Sequence, residues 1–328
     1  MKKILITGVA GFIGSQLYKL LESNYELVGI DNLTPFSNYE IKLQRVKDVF
    51  GESPNATKYQ IMDICDRKQI DDLFEQEKFD AVIHLAAMTG VRQSITNPQI
   101  YEQVNVNGFL NILEACRKYE VKNLIYASSS SVYGGNKDIP FKETASIENL
   151  LNYYAITKRM NELAAENYAN LYGINTIGLR FFTVYGPWTR PDMATYTFIK
   201  NISESKPISL FDGGNLQRDF TYVDDITTSI KLILNKLFLN ENEHRHQLFN
   251  IGGGQPVLVK EYVAMMEQLM NKKAIIINAP MNKEEMKLTY ADSKKLTYFI
   301  DKTSYTTIEI GLRKTVDWFL DYNTNGAT

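Results

Sequence analysis

The stretch Lys3-Ile4-Leu5-Ile6-Thr7-Gly8-Val9-Ala10-Gly11-Phe12-Ile13-Gly14 decides the fold. It opens with a β-branched, apolar run that reads as a buried strand, breaks at closely spaced glycines, and continues as a helix over Gly14 to Glu22. Glycines at a G-x-x-G-x-x-G spacing between a strand and a helix let backbone N–H groups approach a pyrophosphate, and the helix N-terminus that follows favours negative charge. Asp31 closes the next apolar run, 17 residues after Gly14, where a carboxylate can accept hydrogen bonds from an adenosine ribose. A carboxylate there repels a 2′-phosphate, and no arginine follows until Arg45, which favours NAD over NADP. From these residues alone a purely structural tight turn, with Asp31 as a plain turn residue, stays open. The expected cofactor contacts are Gly8, Gly11, Phe12, Ile13, Gly14, Asp31 and Asn32.

Outward from that turn, short apolar runs alternate with longer amphipathic stretches. Glu26 to Ile30, Asp80 to Leu85 and Asn123 to Ala127 are near-continuously apolar, as strands covered on both faces by helices should be. Strand and helix in alternation imply an α/β fold of Rossmann type, a doubly wound parallel sheet. After about residue 183 the alternation weakens, with turns at Gly186-Pro187-Trp188 and Asp212-Gly213-Gly214-Asn215. Helical patterns return at Asp225 to Leu239, Val259 to Met270 and Ile308 to Tyr322, and His246 to Ile251 reads as a strand. We expect a Rossmann domain over 1–184 plus about 218–252. A smaller C-terminal α/β substrate lobe is expected over 185–217 and 253–328, with a fixed cleft between the two.

Composition excludes several function classes. The chain has 328 residues, 44% hydrophobic and 23% charged, which is ordinary globular usage rather than disorder or coiled coil. Thirty-six basic against 38 acidic residues leave a net charge of −2, without the basic stripe of a nucleic-acid binder. No uninterrupted apolar run of about 20 residues is present to span a bilayer. Cys65 and Cys116, 51 residues apart with no C-x-x-C and no nearby histidine pair, suit a reducing cytosol and argue against a disulfide framework or structural zinc site. Met1-Lys2-Lys3 before an apolar run resembles a secretory signal. Gly8, Gly11 and Gly14 interrupt it and no A-x-A follows, so it reads as mature structure and the protein as cytoplasmic.

Tyr154-Ala155-Ile156-Thr157-Lys158 is a Y-x-x-x-K on a predicted helix, which puts both side chains on one face, a turn apart. A free tyrosine titrates near pH 10. A neighbouring ammonium and a positively charged nicotinamide both favour the phenolate. Ser128-Ser129-Ser130-Ser131 directly follows the strand 123–127, so a hydroxyl there can hold a substrate oxygen while tyrosine takes its proton.

The glycine turn, Ser128 to Gly134 and the Tyr154/Lys158 pair together resemble the extended short-chain dehydrogenase/reductase superfamily, over at least residues 3–320. Asp63-Ile64, Leu85-Ala86-Ala87 and Asn105 match it further, and the resemblance implies that they and Phe181 contact the cofactor. Counting back 25 residues from Tyr154, as in the sugar-nucleotide epimerases, selects Ser129 as the catalytic hydroxyl, with Ser130 beside it. Arg180 to Ala194 is similar to the signature of the UDP-glucuronate 4-epimerases. That resemblance implies a sugar carboxylate held by Thr183 and Arg190, near Met193, where a guanidinium offers two parallel bonds; pairing of Arg190 with Asp192 is the alternative. Arg218-Asp219-Phe220-Thr221-Tyr222-Val223 resembles the segment whose arginine binds the nucleotide diphosphate, with Phe211 and Phe220 expected near the uridine.

Thr189 stands where the family usually has glycine, and Met88, Thr89 and Gln93 depart from its A-A-Q-A-G-V-R-Y. Met281 to Glu285 replaces an M-Q-P-G-D, leaving Glu285 the expected uridine-ribose contact. The reaction implied is NAD-dependent, reversible C4 epimerisation of a UDP-hexuronic acid through a 4-keto sugar. Epimerisation of another UDP-sugar and decarboxylation of UDP-glucuronate are the alternatives. A UDP-sugar and a second copy of the chain are the expected partners. The homodimer would form through helices near 100–118 and 154–170, which carry Tyr101, Val104, Leu110, Leu113, Leu163 and Tyr168.

Overall fold

A computed structural model of the chain describes residues 1–34, 39–51, 59–240, 245–280 and 286–325. The dinucleotide half runs β1 (Lys3–Thr7), α1 (Phe12–Leu21), β2 (Glu26–Asp31), α2 (Tyr39–Phe50), β3 (Tyr59–Ile61), α3 (Arg67–Glu77) and β4 (Ala81–His84). It continues through α4 (Val91–Thr96), α5 (Pro98–Tyr101), α6 (Phe109–Lys118), β5 (Asn123–Ser129), α7 (Tyr153–Tyr172) and β6 (Asn175–Phe181). Beyond it come β7 (Thr183–Tyr185), α8 (Ala194–Ser203), β8 (Pro207–Phe211), β9 (Gln217–Tyr222), α9 (Val223–Phe238) and β10 (His246–Ile251). The chain closes with β11 (Pro256–Leu258), α10 (Val259–Met270), β12 (Ile275–Ala279), α11 (Lys294–Ile300) and α12 (Ile308–Asn325).

Seven strands form one parallel sheet in the order β10-β6-β5-β4-β1-β2-β3. Along β1 the side chains alternate, with Ile4 and Ile6 in one core and Leu5 in the other. Both faces are covered, which is why the sequence shows an unbroken apolar run rather than alternation. Strand order reverses between β1 and β4, and such a switch point opens a crevice at the carboxyl ends of the strands. The glycine turn, Asp31, Leu85 to Ala87, Ser129 and Phe181 all follow or end strands on that edge.

The second lobe has two small sheets, β11-β9-β7 and β12-β8. β9 pairs with β7 and β11 rather than with the large sheet, so the chain's return to the main body starts with α9, which packs on α1, and ends with β10. The boundary expected at 184/185 falls inside β7, whose Thr183 pairs with Phe220. The expected dimer residues divide by burial. Tyr101 and Leu113 are fully buried within the subunit, whereas Leu110 and Leu163 are 44% and 49% exposed, close to the 43% of Met160.

Candidate active site

A cleft of about 1100 Å³ lies over the switch point and extends between the lobes. Its dinucleotide end is shaped by the glycine turn. Gly8 has φ +73°, and a Cβ there would stand 2.7 Å from the Ala86 nitrogen; a Cβ on Gly14 would stand 2.2 Å from the Gly8 carbonyl oxygen. Helix α1 therefore packs against the turn as closely as a phosphate-binding site needs. The Asp31 carboxylate holds this turn, accepting from the backbone N–H of Ala10 at 3.1 Å and of Leu33 at 2.8 Å.

Two cations on α2 approach this turn. Lys42 Nζ lies 3.3 Å from Asp31 Oδ1. Arg45 donates to two main-chain carbonyls, of Trp188 and Ala10, each at 3.1 Å. Both are committed to protein groups, so neither forms a 2′-phosphate pocket beside the ribose position. Asn32 donates to Asp63 at 3.2 Å, and Cys65 N–H to the other Asp63 oxygen at 2.8 Å. Ile64 is buried beneath, with its carbonyl held by Asn111 at 2.9 Å.

The chemical centre lies where β5 meets α7. Asn152 caps α7 by accepting from Ala155 N–H at 2.9 Å, which sets Tyr154 in the helix's first turn. The Ser129 hydroxyl lies close enough to the Tyr154 hydroxyl to act on its titration, and it accepts from Ser131 N–H at 3.1 Å. Desolvation pushes the Tyr154 hydroxyl above its ordinary range; the Ser129 hydroxyl and the charge of Arg190 pull the other way. Lys158 Nζ stands 5.9 Å from the centre of the Tyr154 ring and donates to the Ala127 carbonyl at 2.9 Å. Burial lowers its pKa to about 8, and Glu162 opposes that shift. Behind this group His84 is fully enclosed, paired with Thr7 Oγ1 at 2.9 Å, and burial holds its pKa down at about 3.

The end of the cleft beyond Tyr154 is built from the loop after β7. Trp188 takes φ +65°, and the Thr189 N–H donates to the Gly186 carbonyl at 3.1 Å. Thr189 is fully buried, and its hydroxyl has no partner among the described residues. Arg190 presents Nε to Asp192 Oδ1 at 2.9 Å and Nη2 to Oδ2. One edge of the guanidinium is thus held by Asp192 while the side chain lines the cleft with Thr183 and Met193. Further along, Arg218 and Phe220 enter from β9, with Phe220 stacked on Tyr262 at 4.0 Å. Asp219 lies behind them, accepting from the N–H of Ala291 at 2.9 Å and of Gly254 at 3.1 Å, and so fixes that strand to the adjoining loops.

The cleft collects every described cofactor or substrate contact expected from the sequence except Asn105: Gly8, Gly11 to Gly14, Asp31, Asn32, Asp63, Ile64, Leu85 to Ala87, Ser129, Ser130, Tyr154, Lys158, Phe181, Thr183, Arg190, Met193, Phe211, Arg218 and Phe220 all line it. Asn105 is buried in a wide helical turn, its amide bonded to Met88 N–H and C=O at 2.7 and 3.0 Å and to Thr157 at 3.0 Å. It orders the loop after β4 from behind. Glu285 lies outside the described residues. The sequence reading missed Lys42, Arg45 and Arg92; the last lies 4.9 Å over the Phe211 ring on the same wall. Three guanidiniums, of Arg92, Arg190 and Arg218, thus line the cleft away from the glycine turn, which suits a multiply anionic ligand. Among the described residues there is no metal-binding cluster, and no helix is long and apolar enough to cross a membrane.

Comparison with known proteins agrees with this geometry. Residues 4–252 match the family described as NAD dependent epimerase/dehydratase. The chain is 40% identical to Protein CapI of Staphylococcus aureus, over 98% of this chain and 99% of that one. It is 39% identical to the UDP-glucuronate 4-epimerase of Thermodesulfobacterium geofontis, over 96% and 95%. The crystal structure of UDP-glucuronic acid 4-epimerase from Bacillus cereus, in complex with UDP-glucuronic acid and NAD, superposes with a TM-score of 0.87 at 32% identity, covering 97% of this chain and 99% of that one.

Proposed function

The chain belongs to the NAD dependent epimerase/dehydratase family, and on that premise we propose that it interconverts UDP-glucuronate and UDP-galacturonate by NAD-dependent inversion at C4. The observation that carries the reading is Arg190: its guanidinium lines the cleft that holds Tyr154 and acts electrostatically on the tyrosine hydroxyl. A cation so placed fits a sugar that bears a carboxylate next to its reacting carbons.

The residues present fit NAD. The glycine turn leaves no Cβ to obstruct the pyrophosphate, Asp31 faces the ribose position, and Asp63-Ile64 with Leu85 to Ala87 frame the adenine and nicotinamide ends. Hydride acceptance and return are the chemistry that NAD supplies when held there. Tyr154 takes the proton of the 4-hydroxyl and gives it back after the 4-keto sugar has turned over, while Ser129 holds the reacting oxygen. Lys158, enclosed beside Tyr154, contributes positive charge that favours the phenolate. Arg218, with Phe211 and Phe220, holds the uridine diphosphate, so the sugar can rotate without leaving.

A 4-keto hexuronate is a β-keto acid and loses carbon dioxide when its carboxylate stands perpendicular to the carbonyl. Thr183 and Arg190 hold that carboxylate, and the Asp192 side of the fork keeps the guanidinium from following the sugar as it turns. We assign the protein to the cytosol, since Cys65 and Cys116 are both free thiols, and to a homodimer whose contact includes Leu110, Met160 and Leu163.

The test is incubation of purified protein with UDP-glucuronate, without added NAD, and product analysis by chromatography and proton NMR. UDP-galacturonate is expected. A pentose product would make the protein a decarboxylase, and no conversion even with added NAD would overturn the substrate.

A further inference from the structure

Arg45 sits on α2 in the dinucleotide half, yet its guanidinium reaches the loop that carries Arg190. Nε donates to the carbonyl of Trp188, two residues before Arg190, and Nη1 to the carbonyl of Ala10 inside the glycine turn, each at 3.1 Å. The residue is 2% exposed, and its Nη2 is buried with no hydrogen-bond partner among the described residues. No described carboxylate lies within salt-bridge distance. Burial, together with the like charge of Arg190, lowers its pKa to about 10, so it stays cationic at neutral pH.

A buried cation without a paired carboxylate is expensive, and an apolar side chain would fill the same space at less cost. A planar fork does what an apolar side chain cannot: it holds two main-chain segments at a set separation. The segment at its far end needs holding. Trp188 has φ +65°, in the left-handed region that a bulky residue avoids unless its surroundings impose it. The Trp188 ring is packed against Trp318 and Tyr322, and its carbonyl is the group that Arg45 grips.

We infer that Arg45 is a specificity-positioning residue: by tying the Trp188 carbonyl to the Ala10 carbonyl, it sets where Arg190 stands relative to the glycine turn, and thereby the preference for a sugar bearing a carboxylate. This rests on the uronate reading above. Arg45 need not touch the substrate to act in this way. The turn keeps its own bonds without it, through Gly8 N–H to Ile30 and Ala10 N–H to Asp31, at 2.8 and 3.1 Å. The diphosphate is expected at Arg218, on a different strand. Cofactor retention and binding of plain UDP are therefore separable from carboxylate recognition.

Arg45→Lys and Arg45→Gln test this in the full-length, NAD-loaded protein. The readouts are NAD content after denaturation and calorimetric Kd for UDP, UDP-glucose and UDP-glucuronate. The expected result is unchanged NAD content and unchanged UDP affinity, with the preference for UDP-glucuronate over UDP-glucose reduced about 10- to 100-fold, the worth of one charge-assisted hydrogen bond. Arg45→Lys keeps the charge and the aliphatic stem, so it guards against mere loss of folding. A wild-type preference that survives both substitutions overturns the inference, as does a parallel fall of NAD content and of all three affinities. A wild-type protein with no uronate preference overturns the substrate reading and this inference with it.

Discussion

Ser128 Oγ donates to Oε1 of Glu162 at 2.7 Å, which ties the residue preceding Ser129 to the helix that carries Tyr154 and Lys158. Glu162 lies one turn beyond Lys158, as Lys158 lies one turn beyond Tyr154. The same carboxylate receives Arg180 Nε and Nη2 at 2.8 and 2.9 Å and Arg159 at 3.0 Å. With Glu162 and Arg180 side chains 0% and 1% exposed, the carboxylate is fully enclosed, and only these donors keep it ionised. It is both the anchor of the serine run and the counter-charge to Lys158.

Glu162→Gln therefore has two expected effects. Burial holds the Lys158 ammonium at about 8 and Glu162 pushes it upward, so removing the carboxylate lowers it further. His84, the titratable ring on β4 whose pKa Lys158 affects, stays neutral through this range. The alkaline limb of the kcat–pH profile should move to lower pH. Leaving Arg180 incompletely paired should also destabilise the fold by roughly 3–5 kcal/mol. Denaturant unfolding measures the second effect, and a profile whose alkaline limb did not move would count against the first.

Tyr154→Phe isolates proton transfer. The ring and its edge contact with Tyr101, at 6.3 Å, persist, while the hydroxyl that meets Ser129 is removed. Turnover should fall by about 10²–10⁴, the usual worth of a positioned acid–base group. UDP-glucuronate affinity should change little, as titration calorimetry on the NAD-loaded protein would establish.

The main architecture was legible because it is local. The run His246 to Ile251 and the helical pattern Val259 to Met270 coincide with β10 and α10, since each carries its period in adjacent residues. The placement of β9 was not legible, because nothing local tells a strand whether its partners are β6 or β7 and β11. The site divides the same way. Gly8 to Gly14, Tyr154 and Lys158 announce themselves by spacing. Arg45 meets a carbonyl 143 positions away and Glu162 a serine 34 positions away, and only the folded chain brings those pairs together. The amide of Asn105 is taken up by the main chain of Met88, a contact that residue type alone does not announce.

Arg190→Ala tests the carboxylate clamp. Loss of a charge-assisted bond of about 1.5–3 kcal/mol should reduce kcat/KM on UDP-glucuronate roughly 10- to 100-fold. Asp192 is then left without its partner, and the uronate is free to rotate its carboxylate out of plane at the 4-keto stage. A pentose product should appear in the NMR spectrum beside UDP-galacturonate. Wild-type rates with no pentose would sink the assignment of Arg190.

The last prediction concerns acid stability. His84 titrates near 6.5 when unfolded and at about 3 when folded, because burial disfavours the charged ring and the nearby Lys158 charge adds to that. The unfolded chain therefore binds one more proton than the folded chain between those two pH values. Stability must rise with pH across that window, be fully present above it, and be lost as pH falls below 6.5. The slope from this one ring is about 1.4 kcal/mol per pH unit. His84→Gln keeps a polar group near Thr7 but cannot protonate. Chemical denaturation at a series of pH values should show this slope removed from the variant's profile between pH 6 and pH 4, even if its stability at pH 7.5 is lower. Parallel profiles for the two proteins would mean that the buried ring does not set the acid limit of this fold.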